Sequence, residues 1–361
     1  MSELRVRLRP DIAAIAPYRQ GRMAPEDAFK LSSNENPYPP LPAVVEAVAS
    51  SPINRYPEGS ALGLRVRLAE IWGVTPDEVY VGNGSASIIA DLVTATSGPG
   101  DEVVFAWKSF EAYPGLTASA GATGVRVPTL PDGRHDIPGL IAAVTDRTKL
   151  LILCSPNNPT STVITREEFD TVMASVPRDL LVVLDEAYVE FVTDPNAVNG
   201  RDVLPLHPNL IVLRTFSKAY GLAGLRIGYG IAAQYITDAL RTVQVPLGIT
   251  DLAQRAAIAS LDHEEELLER VRVISERRDR FRAALLEQGW EVPEAQGNFV
   301  WLTIGERNAE VAAYLEANGL VVRANVDGLR ITVGEEETID LLLRSLGNVI
   351  AALRSGEPLA G

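Results

Sequence analysis

Leu210-Ile211-Val212-Leu213-Arg214-Thr215-Phe216-Ser217-Lys218-Ala219-Tyr220-Gly221-Leu222-Ala223-Gly224-Leu225-Arg226 is the stretch whose reading decides the fold. Its first four residues are apolar without alternation, the pattern of a strand buried on both faces of a parallel sheet. The chain then turns abruptly polar. A lysine follows the strand between hydroxyl residues, in a context of small and apolar neighbours, with an arginine eight residues further on. A lone lysine is ordinarily a solvated surface charge. Here the surroundings would desolvate the ammonium and lower its pKa, the condition a Schiff-base lysine requires. Thr215, Ser217 and Arg226 would offer donors to a phosphate, the arginine with two prongs.

The same strand-then-polar arrangement recurs upstream. Leu180-Leu181-Val182-Val183-Leu184-Asp185-Glu186-Ala187-Tyr188 ends an apolar run in a carboxylate, and ligands of open α/β sheets sit at the carboxyl ends of strands. Taken alone, Asp185 serves equally well as a cap of the next segment. Val79-Tyr80-Val81-Gly82-Asn83-Gly84-Ser85-Ala86 reads as strand, glycine turn and helix start, with backbone N–H groups placed for a phosphate. It is an incomplete dinucleotide fingerprint: Ser87 stands at the third glycine and no acidic ribose partner follows about twenty residues on. A single phosphate fits better. Cys154-Ser155-Pro156-Asn157-Asn158-Pro159-Thr160 follows another apolar strand, and in isolation it is an ordinary Pro/Asn turn.

Outward from these, Val79 to Val81, Glu102 to Phe105, Leu150 to Cys154, Leu180 to Leu184 and Leu210 to Arg214 are the expected strands. Alternation with helical patterns implies an α/β fold with a mostly parallel sheet flanked by helices. Residues 1–40, broken by six prolines, read as an N-terminal arm, 41–248 as a large domain and 249–361 as a smaller α+β C-terminal domain. In the last, Leu267 to Leu285 fall at helical spacing, followed by short strands near Phe299 to Thr303, Val321 to Arg323 and Leu329 to Val333, then a helix over 335–354.

The formal net charge of −14 argues against nucleic acid or an anionic membrane surface as partner, both of which need a basic face. Cys154 is the single cysteine, so no intrachain disulfide forms and a reducing, cytoplasmic setting is expected. Residues 1–22 have no apolar core of a secretory signal, and no apolar run approaches the ~20 residues of a membrane span. His135, His207 and His263 lack metal-ligand spacing, and no metal is expected.

In combination, Asn157-Asn158-Pro159-Thr160, Asp185-Glu186-Ala187-Tyr188 and Ser217-Lys218-Ala219-Tyr220-Gly221-Leu222-Ala223-Gly224-Leu225-Arg226 resemble the fold-type I aminotransferases, in the branch of histidinol-phosphate and aromatic aminotransferases. The likeness runs from Ser33-Asn34-Glu35-Asn36-Pro37 to Arg330-Ile331-Thr332-Val333-Gly334. It implies pyridoxal 5′-phosphate as cofactor, held covalently by Lys218, which also acts as the base at the substrate Cα. It implies Asp185 against the pyridine nitrogen, Asn158 and Tyr188 on the phenolic oxygen, and Ser85, Ala86, Thr215, Ser217 and Arg226 around the phosphate. Phe110 stands where the family stacks an aromatic ring, often tyrosine, on the cofactor. Tyr56 matches a tyrosine that reaches the neighbouring subunit's phosphate, which implies a homodimer. Arg330 matches the arginine that grips the substrate α-carboxylate, and Arg323, Tyr18 and Asn36 are further substrate-side candidates. Phe105 to Pro114, Asn158 to Val163 and Asn298 to Leu302 are more similar to aromatic than to histidinol-phosphate enzymes. The expected reaction therefore passes the amino group of phenylalanine, tyrosine or tryptophan to 2-oxoglutarate, with histidinol phosphate as the alternative donor. A dehydrogenase, a cofactor-binding regulator and a lyase on the same fold are the rival classes.

Overall fold

The computed structural model describes residues 6–15, 21, 23–25, 27–325 and 327–359. Among these residues the strands are β1 Phe29–Leu31, β2 Val79–Gly82, β3 Glu102–Trp107, β4 Thr123–Pro128, β5 Thr148–Cys154, β6 Leu181–Asp185, β7 Leu210–Thr215, β8 Gly228–Ala232, β9 Phe299–Thr303, β10 Leu320–Ala324 and β11 Gly328–Thr332. Seven form one sheet in the order β2-β8-β7-β6-β5-β3-β4. Neighbours from β4 to β7 are parallel, while β8 runs against both β7 and β2. Two reversals restore direction, so β2 ends at the same edge as β5, β6 and β7. The motifs quoted above thereby meet along one edge.

Strands β5, β6 and β7 are buried along nearly their whole length because helices cover both faces of the sheet. Tyr80, Ile88, Ile89, Leu92, Phe105 and Tyr113 are among the side chains packed on one face. Leu64, Leu68, Phe169, Val172, Leu184 and Val212 belong to the core on the other. The helix Asp251–Asp262, assigned by the sequence reading to the C-terminal unit, inserts Ala253, Ala256, Ala257 and Leu261 into that second core.

A smaller sheet has the order β1-β10-β11-β9. Its core joins Leu31 to Phe281 and Leu285 of the helix Glu264–Glu287 and to Leu342, Leu346 and Val349 of the helix Glu336–Ser355. The expected arm is thus not wholly irregular: β1 pairs in parallel with β10, Phe29 opposite Leu320. Three residues are too short a signal to stand out among prolines. No described helix is long and apolar enough to cross a membrane.

Candidate active site

The carboxyl edge of the large sheet and the face of the small one enclose a cavity of about 720 Å³. Its wall includes Ser85, Ala86, Phe110, Asn158, Asp185, Tyr188, Thr215, Ser217, Lys218, Arg226, Arg323 and Arg330. Twelve of the residues singled out in the sequence, drawn from seven separate segments, are therefore brought together.

Lys218 follows β7 and is half-buried. Its Nζ donates to the Ser33 carbonyl at 3.0 Å and lies 5.6 Å from the centre of the Tyr188 ring. Burial, reinforced by the positive charges of Arg330 and Arg226, lowers its pKa to about 7. An amine so placed is available as a nucleophile and a base near neutrality.

Asp185, the last residue of β6, is buried, and burial raises its pKa to about 6 against the lowering effect of the Tyr113 hydroxyl. That hydroxyl donates to Oδ2 at 2.7 Å, while Oδ1 has no hydrogen-bond partner. An orphaned carboxylate oxygen in the cavity wall calls for a donor from a ligand, and a ring N–H is such a donor. Tyr188 is oriented from its other side. Asn34, fully buried, donates from Nδ2 to the Tyr188 hydroxyl at 3.0 Å, and Thr332 in turn donates to Asn34 Oδ1 at 3.0 Å. Because the Tyr188 oxygen already accepts that bond, its own proton is left to be given elsewhere.

At the other end of the cavity Ser85 opens the helix Ser85–Thr96, whose first N–H groups have no partner within the helix. Thr215 Oγ1 and Ser217 Oγ stand 3.0 Å apart, and Arg226 Nη1 reaches Ser217 Oγ at 3.5 Å. Gly84 makes this corner possible. Its φ of +78° suits glycine, and a Cβ there would lie 2.6 Å from Arg226 Nη2. Hydroxyls, a guanidinium and a helix N-terminus make an anion cradle. Amine, buried carboxylate, phenol and anion cradle, all in the wall of one cavity, fit pyridoxal phosphate.

Arg330 extends Nη1 to Asn158 Oδ1 at 2.7 Å and Nη2 to the Ser32 carbonyl at 2.6 Å. Two candidates are not part of this constellation, and a third is not among the described residues. Asn36 is not in the cavity wall; its amide donates to the carbonyls of Lys218 and Ala219 and so braces the lysine loop. Tyr56 is 85% exposed and is not part of its own chain's cavity wall. Tyr18 falls outside the described residues. Sequence reasoning missed Tyr113 and Asn34. The first was quoted only as part of a segment likeness, and the second sits in a motif whose other asparagine drew the attention. A φ of +53° at Asn34 has no signature in the sequence beyond the residue type.

Residues 26–346 match the family of class I and II aminotransferases. The chain is 51% identical to an aromatic amino acid aminotransferase of Streptomyces avermitilis over 350 residues, covering 95% of this chain and 98% of that one. It is 47% identical to one of Thermobifida fusca, over 93% and 95% of the two chains. Among solved structures, a histidinol-phosphate aminotransferase of Sinorhizobium meliloti in complex with pyridoxal-5′-phosphate superposes with a TM-score of 0.87 at 27% identity, covering 98% of this chain and all of the other. A Thermus thermophilus aspartate aminotransferase with maleate gives 0.78 at 25% identity, over 88% and 90%. A match of such length, on a cavity whose donors suit the cofactor, places the chain in the class I and II aminotransferases, as a pyridoxal-phosphate-dependent enzyme.

Proposed function

We propose that the enzyme transfers the amino group of an aromatic amino acid to 2-oxoglutarate, giving an aromatic 2-oxo acid and glutamate. The observation that carries this reading is the shared name of relatives 45–51% identical across nearly the whole chain. The histidinol-phosphate enzyme stands at only 27% identity.

Pyridoxal phosphate, when bound, supplies an aldehyde for amines and a ring that takes up the electrons of the Cα–H bond. Lys218 Nζ, with its pKa near 7, would hold the cofactor and would move the proton at the substrate Cα. Asp185 would hold the ring nitrogen through Oδ1, the oxygen that Tyr113 leaves open. Tyr188 and Asn158 would orient the phenolic oxygen, and Phe110 would cover the ring. Ser85, Ala86, Thr215, Ser217 and Arg226 would bind the phosphate. Arg330 takes the α-carboxylate and so sets the Cα–H bond toward Lys218. Tyr56, exposed here, completes the phosphate site of a second copy in a homodimer. Support comes from the exposed Val45, Leu62 and Val66, on the two helices Pro42–Ala49 and Leu62–Trp72 that both pack on Asp251–Asp262, apolar groups that a partner would cover.

Histidinol phosphate is the second reading, favoured by the solved relative and by Arg323 in the cavity wall. Initial rates with phenylalanine, tyrosine and histidinol phosphate, each with 2-oxoglutarate, decide between the two. The aromatic donors are expected to have the higher kcat/KM; a clear preference for histidinol phosphate overturns the proposal.

A further inference from the structure

An enzyme that exchanges an aromatic donor for 2-oxoglutarate must admit, in one pocket, an apolar ring and a second carboxylate. The two demands conflict. A cation is needed for the carboxylate, yet a cation left unpaired beside a ring in a water-poor pocket is costly. This chain carries a device suited to that conflict, and its interpretation rests on the aromatic reading above.

Arg323 of β10 and Arg330 of β11 are directly opposite in the antiparallel register. Opposed residues project from the same sheet face with Cβ atoms about 5 Å apart. Both line the cavity, so two cationic side chains face one ligand space. Like charges so placed repel unless each is compensated. For Arg323 one compensating carboxylate comes from the loop after β3: Nη2 meets Glu111 Oε2 at 2.6 Å. Glu111 follows Phe110, in the loop after β3. That loop is also tied to the small sheet by an ion pair between Lys108 and Asp327, with the Lys108 ammonium 5.7 Å from the Trp301 ring centre.

The exposures of the two partners differ in the useful sense. The Arg323 side chain is 17% exposed and faces the cavity, whereas Glu111 is 37% exposed at its rim. A carboxylate displaced from Arg323 at that position passes into water at small cost, while the guanidinium stays to meet whatever displaced it.

We infer that Glu111 is a specificity-determining residue that stands in for a substrate's second carboxylate. It neutralises Arg323 while an aromatic side chain is bound and gives way when the far end of the substrate is itself anionic. The pair thus shifts the pocket's preference toward rings, and it does so through Arg323 alone.

The test uses the holoenzyme and two unreactive ligands of matched length, glutarate and 3-phenylpropionate, with Kd measured by calorimetry. In Glu111→Gln, glutarate is expected to bind about threefold or more tighter and 3-phenylpropionate about threefold weaker, so the ratio of the two moves by about tenfold. Glu111→Asp keeps the charge and should lie nearer the wild type. In an Arg323→Gln background the Glu111→Gln effect should vanish. A ratio unchanged within about twofold, a shift of opposite sign, or an effect that survives without Arg323 overturns the inference. Failure of phenylalanine as a donor would instead strike the aromatic reading, and rates report that separately.

Discussion

Among single residues, Lys218 carries the most consequence and also the clearest titration. Its pKa near 7 in the fold compares with about 10.4 for an unfolded chain. Between those values the unfolded state holds one more proton than the folded state, so raising the pH favours folding. The cofactor-free protein should gain stability as pH rises from about 7 to about 10, with no such contribution below, where both states are charged. Lys218→Met should flatten that rise in a denaturant titration series; an undiminished rise would place the amine in a wetter site than described. Lys218 was legible in the sequence because strand, hydroxyls, glycines and arginine follow one another within a single segment. Asp185 was legible only through its company, since a carboxylate after a strand also caps turns. Tyr113 was not legible at all. Nothing in its neighbours tells that its hydroxyl turns toward a carboxylate 72 positions away.

Elements explain where sequence reading stopped. Strands β5, β6 and β7 were readable from their continuous apolar runs. β4 was missed because it lies at the sheet edge, with only Val127 buried, and ends in Pro128. β8 was missed because Gly228 and Gly230 weaken any strand signal. Both glycines have a steric reason. A Cβ on Gly228 would lie 2.7 Å from Ser85 N, and one on Gly230 would lie 3.0 Å from Leu213 Cδ2. The antiparallel β8 thus lets the helix Ser85–Thr96 come close enough to Arg226 to share an anion. Gly84 is the tightest point of that junction. Gly84→Ala should push Arg226 aside and weaken pyridoxal phosphate binding by about tenfold or more, a loss of roughly 1.4 kcal/mol, measured by titrating cofactor into the cofactor-free protein. Unaltered affinity would mean that the phosphate sits elsewhere.

The whole molecule brings a seven-stranded and a four-stranded sheet to one cavity, and the proposed homodimer adds a residue from outside the chain. That addition has a genetic signature. Lys218→Ala and Tyr56→Ala chains, each impaired alone, should recover activity when refolded together, because one site of the mixed dimer has both residues intact. No recovery would confine Tyr56 to its own chain. The two-sheet plan was legible from the long helical run Leu267 to Leu285 and the short strands after it, but the packing of Asp251–Asp262 on the large core was not, since an amphipathic helix does not say which core it serves. The account as a whole depends on Lys218 being the attachment point. Borohydride reduction of the holoenzyme followed by peptide mapping should place the reduced cofactor on the peptide containing Lys218; a label on any other lysine, or on none, would contradict it.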